Sequence, residues 1–304
     1  RLFFNSWATA ATSVTIFAPD RDFERMIPNY KTSIAGVIGW PINQSKSPKV
    51  HNYWLKKYEI DGIYHALSVT PDRLSQALGG ISALGYKGVN LTIPHKVEAM
   101  ALCDHIDDTA KKIGAVNTVT IGEDGSLTGT NSDAYGFIEN LNNNSSWSAS
   151  SGPAVILGAG GAARAVAVAL SEAGVGQIRI INRTIERAKT LINDTRIENA
   201  VTESWEHRHE ALEGAGLLVN STNLGMVGCE PLDINLSMLP RSAVVNDIVY
   251  APLNTELLET SKKRGNQTVD GLGMLLYQAK VGFHLWFGVN PEVTSDQRAY
   301  ILEH

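Results

Sequence analysis

The stretch from Ala154 to Arg164 constrains this chain more than any other. A short apolar run, Val155 to Leu157, breaks at Gly158 and gives way to small residues from Ala162 to Ala173, ending at Gly174. The first part has the character of a strand buried on both faces. The second reads as a helix closed by a glycine cap. Another apolar run, Ile178 to Ile181, follows and finishes at Asn182-Arg183. Strand, glycine turn, helix and strand within about 30 residues form a βαβ unit. The spacing Gly158-x-Gly160-x-x-Ala163 is the dinucleotide-binding fingerprint in its Ala-ending form. Gly158 would make the tight turn, Gly160 would let backbone approach a pyrophosphate, and Ala163 would let the helix pack close to the strand. Ala159, Gly161 and Ala162 complete the turn, where a helix N-terminus offers N–H groups to phosphates.

The end of the second strand selects the cofactor. A carboxylate there would accept hydrogen bonds from a ribose 2′-hydroxyl and repel a 2′-phosphate. The position carries Asn182, followed by Arg183, Thr184 and Arg187. An amide with two guanidinium groups attracts a phosphate instead, which predicts NADP(H) over NAD.

At 304 residues the chain is long enough for two domains, each with its own core. A net charge of −5 gives no basic surface for nucleic acid or anionic membrane, and no run of 18 apolar residues predicts a membrane span. Cys103 and Cys229 are too few for a disulfide framework, which suits a cytoplasmic protein. His207-x-His209 lies in a charged segment and reads as a solvated face, so no metal is expected. Residues 1–33 read as an extension. Ala8-Thr9-Ala10 is similar to a signal-peptidase site, but the apolar stretch before it is too short, and Met26 is an alternative start.

Ahead of the βαβ unit, strands alternate with helices. Ile34 to Gly39, Ile63 to Val69, Lys87 to Ile93 and Gly114 to Val119 read as strands; Val50 to Tyr58, Leu74 to Leu84 and Tyr135 to Leu141 read as helical. This order implies a mainly parallel sheet with ligands beyond the strand C-termini, which is where Lys96 falls. Ser45 and Ser47 lead into a helix start and fit either an anion site or two helix caps. Asp133 fits either a site carboxylate or an N-cap. After the unit, Leu217 to Asn220 and Ala243 to Ile248 read as strands, and Asn254 to Arg264 and Gly271 to Phe287 as helices.

Nine short motifs, in order, carry a resemblance to a known family. They are Ser45-Lys-Ser47-Pro48, Asn90-Leu-Thr92-Ile-Pro94-His-Lys96, Gly114-Ala-Val-Asn117-Thr118, Asn131-Ser-Asp133, the turn from Gly158 to Ala163, Asn182-Arg183-Thr184, Asn220-Ser-Thr-x-x-Gly225-Met226, Asp247-x-x-Tyr250-x-Pro252 and Gly271-x-Gly273-Met274-Leu275-x-x-Gln278-Ala279. Together they resemble shikimate dehydrogenases over residues 34–288. The resemblance implies an α/β fold of two domains: an N-terminal substrate domain with a mainly parallel sheet (34–132 plus 273–304) and a Rossmann-type NADP-binding domain (133–272). It implies reversible, NADPH-dependent reduction of 3-dehydroshikimate to shikimate, a step of chorismate and aromatic amino-acid biosynthesis. Lys96 and Asp133 would be the catalytic pair. Ser45, Ser47 and Tyr250 would hold the substrate carboxylate, and Thr92, Asn117 and Gln278 the ring oxygens. Thr222, Met226, Ile248 and Gly271 would join the glycine turn and the Asn182–Arg187 segment around the cofactor. The family usually has Thr where this chain has Ser132, a change that keeps the hydroxyl.

The chemistry fits these residue types. Reduction of a ketone builds negative charge on its oxygen, which an ammonium stabilises and protonates, while a neighbouring carboxylate orients the lysine and favours its charged form. A quinate/shikimate dehydrogenase of broader substrate or NAD use is the near alternative. An inactive nucleotide-sensing homologue is the distant one, and the presence of both Lys96 and Asp133 speaks against it. A small-molecule substrate and a monomer or homodimer are expected.

Overall fold

The computed structural model describes residues 28–303; of the extension read over residues 1–33, the part up to residue 27, with Met26 as a start, lies outside the described residues, and β1 begins at Ser33. Two six-stranded sheets organise them. The first contains β1 (Ser33–Gly39), β2 (Gly62–Ser68), β3 (Gly88–Leu91), β4 (His105–Ile106), β5 (Thr118–Ile121) and β6 (Leu127–Thr130), in the order β2-β1-β3-β5-β6-β4. Its helices are α1 (Ser47–Lys57), α2 (Leu74–Ala83) and α3 (Asp108–Ile113). The β1–β2, β1–β3 and β4–β6 pairings are parallel, whereas β5 runs antiparallel to both neighbours. The reversal follows from a tight turn: Asp124 Oδ1 accepts from the Ser126 N–H at 3.0 Å, and Gly125 takes a φ of +83°.

The second sheet is wholly parallel. It holds β7 (Ala154–Leu157), β8 (Ile178–Asn182), β9 (Ala200–Ser204), β10 (Leu217–Asn220), β11 (Val244–Asp247) and β12 (Gln267–Val269), in the order β9-β8-β7-β10-β11-β12. That is the doubly wound order, with its switch point between β7 and β10. All four residues of β7 are buried, as are those of β10, as a sheet covered on both faces requires. Helix α5 (Gly161–Glu172) supplies one cover with a run of buried alanines and valines; α6 (Ile185–Thr195) and α7 (Glu256–Arg264) follow.

Two helices join the sheets. The chain leaves the first sheet through α4 (Asp133–Asn144) and returns from the second through α8 (Gly271–Phe287). Glycines let them touch closely: a Cβ on Gly136 would lie 2.7 Å from Gln278 Cβ, and one on Gly273 would lie 1.7 Å from Asn140 Oδ1. Leu272, Leu276, Phe283 and Trp286 of α8 sink into the core of the first sheet with Val37, Trp54 and Tyr64, and Trp286 donates to the Val119 carbonyl. A last helix, α9 (Ser295–Glu303), adds Ile301 to that core.

The structure differs from the sequence reading at several places. The strand expected over 114–119 begins only at Thr118, because Gly114, at φ +69°, caps α3 and leaves 114–117 irregular. Strands β4, β6, β9 and β12 and helices α3, α6 and α9 are additions. No described helix is long and apolar enough to cross a membrane.

The end of β11 is pinned by a buried acid. Asp247 Oδ1 accepts from Asn220 Nδ2 and the Val249 N–H, both at 3.0 Å, and Oδ2 accepts from Thr255 Oγ1 at 2.7 Å. Burial outweighs these donors and pushes its pKa up from 3.8 to about 6. A pKa raised on folding favours the native state below about pH 4, and that contribution is lost as pH rises through about 6. Asp247→Asn, which mimics the neutral acid, should therefore gain stability relative to the parent between pH 4 and 7. Urea midpoints of the two proteins that differ by a constant amount across this range would contradict the assignment.

Candidate active site

The C-terminal ends of β3 and β7 converge at one point. After β3 the chain turns at Pro94, and the Val116 N–H donates to the Lys96 carbonyl at 2.8 Å, fixing the backbone of Lys96. Its side chain then runs over the start of α5: a Cβ on Gly161 would lie 3.2 Å from Lys96 Cβ and Cδ. The lysine thus lies along the glycine turn, close enough that a methyl at 161 would press on its stem.

The ammonium meets Asp133. Lys96 Nζ and Asp133 Oδ2 are 2.5 Å apart, with side-chain exposures of 14% and 6%. The other oxygen, Oδ1, accepts from Asn117 Nδ2 at 2.8 Å, and the Asp133 N–H donates to Asn131 Oδ1 at 2.9 Å. Asp133 lies inside the first turn of α4 and not at its N-cap, which is Ser132. The capping alternative for Asp133 is thereby removed. A desolvated pair of this kind depends on further hydrogen bonds to offset the loss of water, and Asn117 provides one.

Gln278 completes this group from α8, its Oε1 3.4 Å from both Asn117 Nδ2 and Ser132 Oγ, while its Nε2 donates to the Leu275 carbonyl. Residues from the β3–α3 and α3–β5 segments, α4 and α8 therefore form one polar cluster. Thr92 lies one residue beyond β3, its methyl against Gly39 and its N–H on the Ile38 carbonyl. Ser45 precedes α1 and Ser47 opens it; the N-cap position is Lys46, which makes no capping bond, while Ser45 Oγ accepts from the Ser47 N–H at 3.4 Å, so a weak capping contact remains for Ser45 alone. Tyr250 approaches this loop from beyond β11. Burial pushes its phenol up, and a hydrogen bond with the Lys46 backbone opposes that shift. Gln44 also reaches across, donating to the Val227 carbonyl at 3.2 Å.

On the nucleotide side, Gly158 takes a φ of +111°, and a Cβ there would lie 2.7 Å from Ser221 Oγ. Gly160, by contrast, has nothing within 4 Å of a built Cβ, and it precedes α5 without a side-chain cap. Ala163 is fully buried against the sheet, with Ala159 and Ala162 half-buried. A phosphate could therefore approach the backbone of the turn, as the fingerprint requires. Asn182 Nδ2 donates to the Thr184 carbonyl at 2.8 Å. Arg183 and Arg187 are exposed beside it, and Arg183 lies 3.6 Å from Glu230. This pair of cations fits a 2′-phosphate.

Thr222 bonds Asn220 Oδ1 at 2.7 Å and shapes the loop holding half-buried Met226. Gly271 packs on Ile248: a Cβ there would lie 2.2 Å from the Ile248 carbonyl oxygen, which explains the glycine by contact between α8 and the end of β11.

The sequence reading overlooked Asn90, Ser132 and Asp247 as site-forming groups, although each stands inside a quoted motif. Asn90, 5% exposed, bonds the Asn117 carbonyl and Thr118 Oγ1. An asparagine in an apolar strand was the available signal, since a buried amide requires partners. His209 Nδ1 accepts from the Asn235 N–H, and no group of three or more metal-ligating side chains occurs among the described residues.

Residues 37–119 match the model of the shikimate dehydrogenase substrate binding domain, and residues 141–246 that of shikimate / quinate 5-dehydrogenase. A shikimate dehydrogenase (NADP(+)) of Paramagnetospirillum magneticum is 50% identical over 273 residues, spanning 90% of this chain and 99% of that protein. A shikimate dehydrogenase solved in complex with NADP+ superimposes with a TM-score of 0.83 at 36% identity, covering 91% of this chain and 97% of its own. The quinate dehydrogenase of Corynebacterium glutamicum, solved with NAD, gives 0.82 at 29% identity, with coverages of 90% and 99%. With both family models matched in order and half of the aligned residues shared with such a relative, this chain belongs to the shikimate dehydrogenase family.

Proposed function

We propose that the protein catalyses the reversible, NADPH-dependent reduction of 3-dehydroshikimate to shikimate, within aromatic amino-acid biosynthesis. The observation that carries this reading is the Lys96–Asp133 pair lying against Gly161 of the dinucleotide turn. It puts a charged, oriented proton donor where a ketone and a dinucleotide can meet. When bound, NADPH supplies the hydride that the ketone carbon takes up.

This chain's own residues do the rest. Lys96 Nζ stabilises the negative charge growing on the ketone oxygen and donates the proton that makes the hydroxyl. Asp133 orients the lysine, and in the reverse direction Lys96 accepts the proton. The hydroxyls of Ser45, Ser47 and Tyr250 hold the substrate carboxylate without a permanent cation, so the product can leave. Thr92, Asn117 and Gln278, with Asn90 behind them, orient the ring oxygens. The turn from Gly158 to Ala162 receives the pyrophosphate, Asn182 to Thr184 and Arg187 the 2′-phosphate, and Thr222, Met226, Ile248 and Gly271 border the rest of the cofactor. We divide the chain at 132/133 and 272/273, so that the substrate domain is closed by α8. The protein acts as a monomer or a homodimer on a small-molecule substrate. Two unpaired half-buried thiols, Cys103 and Cys229, accord with a cytoplasmic setting.

An assay of shikimate and quinate, each with NADP+ and NAD+, tests the whole reading, and faster quinate turnover with NAD+ would replace it with the quinate alternative. Lys96→Ala should lower kcat by about 100-fold or more, the scale of a lost general acid, with a smaller effect on KM. A variant with near-parental turnover removes Lys96 from the mechanism. Arg183→Ala should weaken NADPH binding by roughly 1.5–3 kcal/mol and leave NADH binding unchanged. An unaltered NADP/NAD preference would contradict the role given to that loop.

A further inference from the structure

The Lys96–Asp133 pair terminates a longer series of buried hydrogen bonds, and backbone groups fix the direction of the two amides in it. Asn117 Oδ1 accepts from the Ser132 N–H at 2.9 Å, so its Nδ2 is the end that faces Asp133. Asn90 Nδ2 donates to the Asn117 carbonyl at 3.2 Å, so its Oδ1 faces Tyr64, whose phenol must donate, at 2.7 Å. Thr118 Oγ1 accepts from Asn90 Nδ2 at 3.0 Å and gives its own proton to Asn117 Oδ1 at 2.9 Å. Every donor thus points one way: Tyr64 to Asn90, Asn90 to Thr118, Thr118 to Asn117, and Asn117 to Asp133. In such a series each bond polarises and orients the next.

Tyr64 is well built for the far end. Its ring is 1% exposed and stacks on His51 with centroids 3.9 Å apart and planes 5° from parallel. Burial raises its pKa well above 10, so the phenol keeps its proton at any working pH. Tyr64 and Thr118 have no hydrogen bond to Lys96 or Asp133, and neither is assigned to substrate or cofactor, although the Tyr64 phenol also meets the Ser47 side chain. We infer that both are positioning residues, which hold the Asn117 amide and, through it, the carboxylate that aims Lys96. The inference rests on Lys96 and Asp133 being the reacting pair.

The test is steady-state kinetics of the full chain with shikimate and NADP+, alongside thermal melts, for Tyr64→Phe, Thr118→Val, Thr118→Ser and the double variant Tyr64→Phe/Thr118→Val. Each hydroxyl deletion should lower kcat about tenfold, the scale of a slightly misplaced catalytic group, with KM for NADP+ unchanged within about twofold. Thr118→Ser should restore kcat. The double variant should lose little more than the worse single one, because both interrupt one series. Hydroxyls that serve packing alone would lower Tm and leave kcat within about twofold of the parent, and that result overturns the inference, as does a double variant whose losses multiply to about 100-fold. If Tyr64→Phe does not fold, Thr118→Val against Thr118→Ser decides: a kcat that follows the hydroxyl supports the inference, and equal values overturn it. Lys96→Ala measured in parallel separates the two claims. Loss in Lys96→Ala without loss in Tyr64→Phe and Thr118→Val defeats the positioning role alone, whereas turnover surviving in Lys96→Ala defeats the catalytic pair itself.

Discussion

The Lys96 ammonium and the Asp133 carboxylate come from segments 37 residues apart and meet at 2.5 Å with most of their surface withdrawn from water. Removing two charges from water costs several kcal/mol per ion after relaxation, and attraction between them offsets that only with good geometry and further hydrogen bonds. Much of the surrounding architecture supplies those conditions. The Val116 N–H holds the Lys96 backbone, Asn131 holds the Asp133 backbone, and Asn117 takes the second carboxylate oxygen. A chain that lost any of these would leave a charge poorly paired in a partly dry place.

The pair also explains why the two sheets are joined as they are. Asp133 opens α4, the helix that leaves the first sheet, and Gln278 lies on α8, the helix that returns to it. Glycines at 136 and 273 bring those helices together closely enough for Gln278 to approach Asn117 and Ser132. Meanwhile Gly161 brings the second sheet's turn against the lysine stem. Small residues at three contacts thus convert a connection between two layers into a site to which both contribute.

Much of this was legible in the sequence, for local reasons. The buried run before Gly158, the alanine-rich helix and the second strand announce the parallel sheet, and a missing acid beside two arginines selects the cofactor from side-chain chemistry alone. Lys96, Asp133, Asn117 and Gln278 could be named only by resemblance, since four residues spread over 183 positions carry no spacing that says they meet. Asn90, Tyr64 and Thr118 stayed hidden because their role lies in hydrogen bonds between strands, where partner and direction are set by register. The reversed β5 was hidden for a related reason: a short strand reads alike in either direction, and only the turn at Asp124-Gly125 decides it.

One ammonium, held by one carboxylate, is proposed to serve the oxygen on the carbon that is oxidised or reduced. A crystal structure of the full chain with shikimate and NADP+ tests this most directly. Lys96 Nζ should lie within hydrogen-bonding reach, about 2.6–3.2 Å, of the hydroxyl oxygen to be oxidised, with Asp133 still on the lysine. Shikimate bound with that hydroxyl directed away from Lys96, or seated outside the crevice between Ser45, Asn117 and Gly161, would contradict it.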